Sequence, residues 1–230
     1  MTITTTASTT VQALVSKLAH ERIGSWQSGY LADRPKAVAA VARLRRGAGR
    51  PAGQVPDLWD LIDISPLHEA RPDGRRLGEI ELGRAEEAVH VACTLWAVHQ
   101  QARSTGMHQR HNRERSRGLG AAVRRLMPPD DIDEPLRKRL VRAGTAPDLI
   151  VLAQRLRDIV TLLRGQEARL DYALLAAQLY QWQWPGGPDA VRTAWGRSFH
   201  AWRDEQELNA AIPAPTAAPD ILDTTTKDAS

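Results

Sequence analysis

Glu87-Ala88-Val89-His90 sets a carboxylate and an imidazole on one helix face, the spacing by which helical bundles present ligands to a pair of metal ions. Such centres use the motif twice, with further carboxylates, and this chain holds it once. Glu87 then reads as an acid in the first turns of a helix, where the macrodipole favours it, and His90 as a partly buried helical histidine. His99, His108 and His111 flank an arginine-rich stretch and have the chemistry to ligate a metal or move protons in phosphodiester cleavage. No matched carboxylate cluster accompanies them, so a place in solvent or beside phosphate suits them better. Cys93, the single cysteine, lies among Val91, Ala92 and Leu95 and reads as an inert core thiol. One cysteine excludes an intrachain disulfide and a cysteine-rich zinc site. Phosphate-loop, nucleophile-elbow and zincin motifs do not occur, and Gly47-Ala48-Gly49 follows a helix instead of opening one. The expectation is a protein without catalytic residues, metal or cofactor.

Charge is the stronger signal. The 230 residues carry 31 basic and 27 acidic side chains, for a net charge of +4, but the basic ones come in blocks. Residues 36–50 hold Lys36, Arg43, Arg45, Arg46 and Arg50 with no acid, and residues 101–125 hold Arg103, Arg110, Arg113, Arg115, Arg117, Arg124 and Arg125 against Glu114 alone. A compensating acidic surface falls chiefly between Asp57 and Glu87. Two-sided proteins of this kind bind a polyanion on one face. Only Lys17, Lys36, Lys138 and Lys227 are lysines; arginine's rigid fork suits phosphate oxygens, although a GC-rich genome would also favour arginine. Trp26, Trp59, Trp96, Trp182, Trp184, Trp195 and Trp202 fall mostly on apolar faces and are read as core, with Trp184, ahead of a turn, as the exception open to base stacking.

The elements that must position these groups are helical, because no segment sustains the period-two alternation of a half-buried strand. Val11, Leu14, Val15 and Leu18 form a stripe behind the candidate caps Thr9 and Thr10. Pro35 opens a second helix with Val38 and Val41 on its buried face and Gly47 as its stop. A short helix follows Pro56, and Arg71 to Gly83 reads as a charged loop. Arg84 to Gln101 is apolar on most sides and therefore central. Residues 103–117 lack an apolar stripe and read as an exposed, mobile loop before a short helix, Leu119 to Leu126. Met127-Pro128-Pro129-Asp130 is the expected domain boundary. Thr145-Ala146-Pro147-Asp148 has capping-box spacing ahead of the Leu149, Leu152, Leu156, Ile159, Leu163 stripe. Two last helices, marked by Leu174, Leu175, Gln178, Leu179 and Trp182 and by Val191, Trp195, Phe199 and Trp202, are joined by Trp184-Pro185-Gly186-Gly187-Pro188 and should be antiparallel neighbours. The reading is an all-α protein of two small helical bundle subdomains, 11–127 and 131–211, between a disordered start at 1–10 and a disordered tail at 212–230. Apolar runs fall short of the ~20 residues a membrane span needs, and the first ten residues lack the pattern of a signal peptide. A cytoplasmic protein is expected.

Ala42-Arg43-Leu44-Arg45-Arg46-Gly47, then Pro56-Asp57-Leu58-Trp59, then Gly118-Leu119-Gly120-Ala121-Ala122-Val123, then the leucine-rich helix from Leu149 and the Leu170-Asp171-Tyr172 approach to the glycine hairpin follow one another in the order of a known family. In these motifs, over roughly Ser25 to Arg203, the chain resembles CasB, the small subunit of the type I-E CRISPR surveillance complex, Cascade. It departs from that pattern in its threonine-rich start, its proline- and alanine-rich tail and a longer arginine-rich loop. The resemblance implies a non-catalytic all-α subunit, present with a second copy of itself beside the other Cascade subunits and CRISPR RNA. There it would hold the displaced non-target strand of the target DNA while a recruited helicase-nuclease cuts. Carried over, Arg45 and Arg46 are the first basic pair, and Arg142, Arg155 and Arg157 the second-subdomain contribution. The charge blocks themselves add Arg110, Arg113, Arg115, Arg117, Arg124 and Arg125. Two rivals stand beside this. A helix-turn-helix regulator would be equally small and basic but needs base-reading side chains on a short helix after a sharp turn, which nothing here fits well. A helical metal-dependent nuclease would draw on the histidines.

Overall fold

The computed structural model describes residues 3–69, 75–112 and 116–211. Ten α-helices follow one another there: α1 (Ile3–Leu31), α2 (Pro35–Gly47), α3 (Trp59–Ile62), α4 (Ser65–His68), α5 (Glu79–Gln100), α6 (Leu119–Arg124), α7 (Glu134–Gly144), α8 (Leu149–Gly165), α9 (Tyr172–Trp182) and α10 (Gly187–Ala211). Two 3-10 turns, Ala52–Gln54 and Pro56–Leu58, link α2 to α3. No strand occurs among the described residues, and the one β-bridge joins His108 to Leu170.

The centre is α5. From Ala88 to Gln100 every side chain is buried, because α1, α2, α8 and α9 surround it. α9, whose sequence is nearly all apolar, lies against both α1 and α5, and α6 lies against α10. The boundary at Pro128-Pro129 falls between α6 and α7, and one apolar cluster is continuous across it, from Val11 through Leu95 and Trp96 to Leu156, Leu179 and Trp195. The starts of α7, α8 and α9 are set by aspartates whose carboxylates accept first-turn N–H groups that have no partner within the helix. Asp133 takes Leu136 N–H at 2.9 Å, Asp148 takes Val151 N–H at 2.8 Å, and Asp171 takes Ala173 and Leu174 N–H at 2.9 and 3.0 Å. The hairpin between α9 and α10 needs its glycines. Gly186 sits at φ 74°, and a Cβ on Gly187 would lie 1.9 Å from the Gln181 carbonyl oxygen. Across the turn Trp182 and Trp195 stack at 5.9 Å.

Several expectations are corrected. α1 begins at Ile3, so it takes in positions read as a disordered start, and Thr9 and Thr10 lie inside it. α5 begins at Glu79, inside the segment read as a loop, which moves Glu87 out of the first turn; Glu79 and Glu81 hold that place. Thr145 does not cap α8, for its hydroxyl donates to the Val141 carbonyl at the end of α7, and Asp148 is the cap. On α2 the buried face is Ala37, Ala40, Val41 and Leu44, with Val38 turned outward. The tail at 212–230 lies outside the described residues.

Candidate nucleic-acid interface

Arg45 and Arg46 occupy the last turn of α2, where the negative end of the helix macrodipole favours cations. Arg45 is half-buried and Arg46 exposed. The chain beyond them is held by α5. The Glu87 carboxylate accepts Ala52 N–H at 3.0 Å, and His90 donates its Nε2–H to the Arg50 carbonyl at 3.0 Å. Burial raises the Glu87 carboxyl above its ordinary value and lowers the His90 imidazole, as befits groups that anchor backbone. The Glu-x-x-His pair is therefore a bracket for residues 50–52. Among the described residues no three of His, Cys, Asp or Glu gather as metal ligands would.

The second-subdomain arginines meet this end of α2. Arg157 on α8 is exposed, and its Nη1 donates to the carbonyl of Ala48, the residue that ends α2, at 3.5 Å. Residues 109 positions apart in the chain thus share one surface. Arg155, half-buried, donates to the Arg142 carbonyl on α7, and Arg142 itself is exposed. Arg43 is drawn away to Asp60 at 2.8 Å.

The other arginine block behaves differently. Among the described residues of 103–117, Met107, His108 and Ser116 are buried and the backbone is laddered to the approach to α9, which corrects the expectation of an exposed loop for them, while Arg110, His111 and Asn112 are exposed. Leu170 N–H donates to Met107 O at 3.1 Å, Gln109 N–H to Leu170 O at 3.2 Å, and Asp171 N–H to Arg117 O at 2.9 Å. Arg110 is exposed, Arg117 half-buried, and Arg113 and Arg115 lie outside the described residues. Arg125 is half-buried and donates to the Ser116 carbonyl. Arg124 is a correction. At 1% exposure its guanidinium donates to the carbonyls of Pro128 and Pro129, closing the chain after α6 instead of facing phosphate.

Two of the three histidines around the arginine-rich segment are also placed otherwise than expected. His99 is buried and shares a hydrogen bond with the Tyr172 hydroxyl at 2.9 Å; burial, with Arg103 and Arg164 adding to it, lowers its imidazole to about 3. His108 is buried, accepts Tyr172 N–H on Nδ1 at 3.2 Å, and is lowered to about 4, chiefly by burial. His111, exposed, accepts Arg117 N–H at 3.2 Å. Neither His99 nor His108 stands in solvent or beside phosphate. Burial pushes the Cys93 thiol up to about 12, an inert core thiol as its neighbours imply.

Among the tryptophans whose burial is described, the exposed one is Trp59, at 64%, and not Trp184; the side chain of Trp202 lies outside the described residues. The Arg84 guanidinium covers the Trp184 ring at 4.1 Å, and Tyr180 meets its edge. Trp59 rests its Nε1–H on the Ala52 carbonyl at 3.4 Å and turns most of its ring to water beside the arginine-rich end of α2, a stacking surface that apolar spacing could not single out.

The described residues contain no helix long and apolar enough to cross a membrane. Residues 40–200 match the family model of CRISPR-associated protein Cse2. The fold is similar to CasB from Thermobifida fusca, with 50% identity, a TM-score of 0.71 and coverage of 81% of this chain and 97% of that one. It is similar to M. ruber CasB at 25% identity and a TM-score of 0.53, over 83% and 98% of the two chains. A chain of a CRISPR RNA-guided surveillance complex shares the fold at 18% identity and a TM-score of 0.61, over 85% and 99%. No curated protein sequence matches.

Proposed function

The chain belongs to the CasB/Cse2 family of CRISPR-associated proteins, and from that premise we propose that it is a non-catalytic subunit of an RNA-guided surveillance complex working in the cytoplasm. Its task is to grip nucleic-acid backbone without reading sequence and to hold the displaced non-target strand of the R-loop. Its partners are the other Cascade subunits, a second copy of itself, CRISPR RNA and target DNA.

The observation that carries this reading is the contact of Arg157 with Ala48, which merges the basic end of α2 with α8 into one face bearing Arg46 and Arg157 in the open. Guide pairing reads the sequence in such a complex, so a protein surface need only neutralise phosphates. Arginines fixed on helices do that and carry no base information. Arg142 and Trp59 extend the same surface by charge and by stacking.

The test is a reconstituted complex carrying Arg45→Ala with Arg46→Ala, or Arg155→Ala with Arg157→Ala. Guide-RNA loading should persist while R-loop lifetime falls for each pair. An unchanged lifetime in both would refute the reading.

A further inference from the structure

A cavity of about 430 Å³ opens on the side of α1, lined by Ala13, Ser16, Lys17, His20 and Arg110. Its polar groups come from two elements. Ser16, Lys17 and His20 share one face of α1, at i, i+1 and i+4, and Arg110 arrives from the segment before α6. Arg110 is fixed from behind. Its Nε lies 3.9 Å from Oδ2 of Asp171, a carboxylate 3% exposed that also accepts three backbone N–H groups, and its Nη1 lies 3.5 Å from Ser16 Oγ.

The imidazole of His20 is set by a relay. Tyr172 N–H donates to His108 Nδ1, so the proton of that neutral ring sits on Nε2, which lies 2.9 Å from His20 Nδ1. His20 Nδ1 must accept, and its own proton is therefore on Nε2, the remaining donor of the ring. The acids nearby are Asp171, already engaged, and Glu21, which meets Lys17 at 3.9 Å between two exposed side chains and competes weakly.

We infer that this notch binds a phosphodiester of a nucleic-acid strand, with Lys17 and Arg110 supplying charge and His20 and Ser16 directional hydrogen bonds. The inference rests on the nucleic-acid reading above and adds a second contact that shares no residue with the Arg46 and Arg157 face. A backbone phosphate suits the lining because Lys17 and Arg110 bring two cations, and Ser16 and His20 two hydrogen-bonding groups, to one notch. Arg110, placed beside a buried carboxylate, gives up less freedom on binding than a solvated arginine would.

The experiment uses the full chain, labelled oligothymidylate and a salt series. Lys17→Ala, whose side chain is 72% exposed and contributes nothing to the core, should weaken binding several-fold. It should also reduce the slope of log K against log salt by roughly 0.7, one single-strand phosphate. Arg110→Ala should do the same, and the Lys17 variant keeps the test valid if loss of the Asp171 contact unfolds the other. In nitrogen NMR the His20 Nε2 resonance should move on adding oligothymidylate while that of His99 stays. If Lys17→Ala and Arg110→Ala bind as the parent does while Arg45→Ala with Arg46→Ala binds less, the notch is overturned and the nucleic-acid reading stands. If the parent chain binds no oligothymidylate even at low salt, both fall. Movement of His20 with inorganic phosphate but not with oligothymidylate overturns the strand assignment in favour of a free anion.

Discussion

The carboxamide of Gln27 treats His108 as a neighbouring β-strand would: Oε1 accepts the His108 N–H at 2.8 Å and Nε2 donates to the His108 carbonyl at 3.1 Å. The same Oε1 receives the Trp96 indole N–H at 3.3 Å, tying α1, α5 and the arginine-rich segment at one point. Gln27→Ala strands a buried backbone N–H and should cost about 2 kcal/mol. Urea unfolding measures that loss, and limited proteolysis should find new cleavage between residues 103 and 117. A variant as stable and as resistant as the parent would show that water replaces the amide.

Gly120 is where α6 meets α10 backbone to backbone. A Cβ there would lie 1.9 Å from the Trp195 carbonyl oxygen and 2.7 Å from Phe199 N. Gly120→Ala should therefore push the helices apart and cost at least the upper part of the usual overpacking range of about 1–3 kcal/mol. Gly83→Ala, which meets nothing within 4 Å, is the control and should melt no lower than the parent.

Acid should weaken the fold in a defined window. Burial holds His99 at about 3 and His108 at about 4, against 6.5 for a free imidazole. For His108 the Asp171 carboxylate opposes this, while His20 and Arg110 add to it. Below pH 6.5 the unfolded chain takes up protons that the native rings refuse, so stability falls as pH falls, and each ring's contribution is gone once pH passes below its native value. The slope should approach 1.4 kcal/mol per pH unit per ring at most, or about that figure from linkage. Denaturant midpoints from pH 7 to pH 4 check it, and His99→Phe, which removes a proton-accepting ring, should flatten the curve. A flat profile for the parent would contradict the burial of both rings.

The Arg157 to Ala48 contact makes the two basic pairs neighbours, whereas two separate subdomains would keep them apart. Removing Arg45, Arg46, Arg155 and Arg157 together should thus cost less DNA affinity than the separate losses added. A coupling of about 0.5–3 kcal/mol is the range for residues sharing partners. Strict additivity in fluorescence anisotropy would mean that they grip different phosphates.

The helical register was legible because period is a local property. Leu152, Leu156, Ile159 and Leu163 are spaced for one helix face and are all buried. Arg46 and Arg157 stand exposed because their helices put them opposite such stripes. What composition could not reveal was the destination of backbone polar groups. The 103–117 segment has no stripe and so reads as solvent-facing, yet its described residues are held by Gln27, Leu170 and Asp171, long-range hydrogen bonds that leave no periodic trace. Arg124 failed for the same reason, since a guanidinium that closes a Pro-Pro turn has the same letter as one that faces phosphate. Lys17 and His20 meet Arg110 only because that segment is pinned against α1.

α1 packs on α9, and between them the ribosome makes some 140 residues at about 5–20 residues per second. α1, whose Val11, Val15, Leu18 and Ile23 are buried in the folded chain, therefore waits several seconds before the neighbour it packs on emerges. Its early company is α2 and α5, which leave the α9-facing strip open to water. Nascent chains stalled before Tyr172 should accordingly be clients of holding chaperones, and those stalled well beyond Trp182 should not.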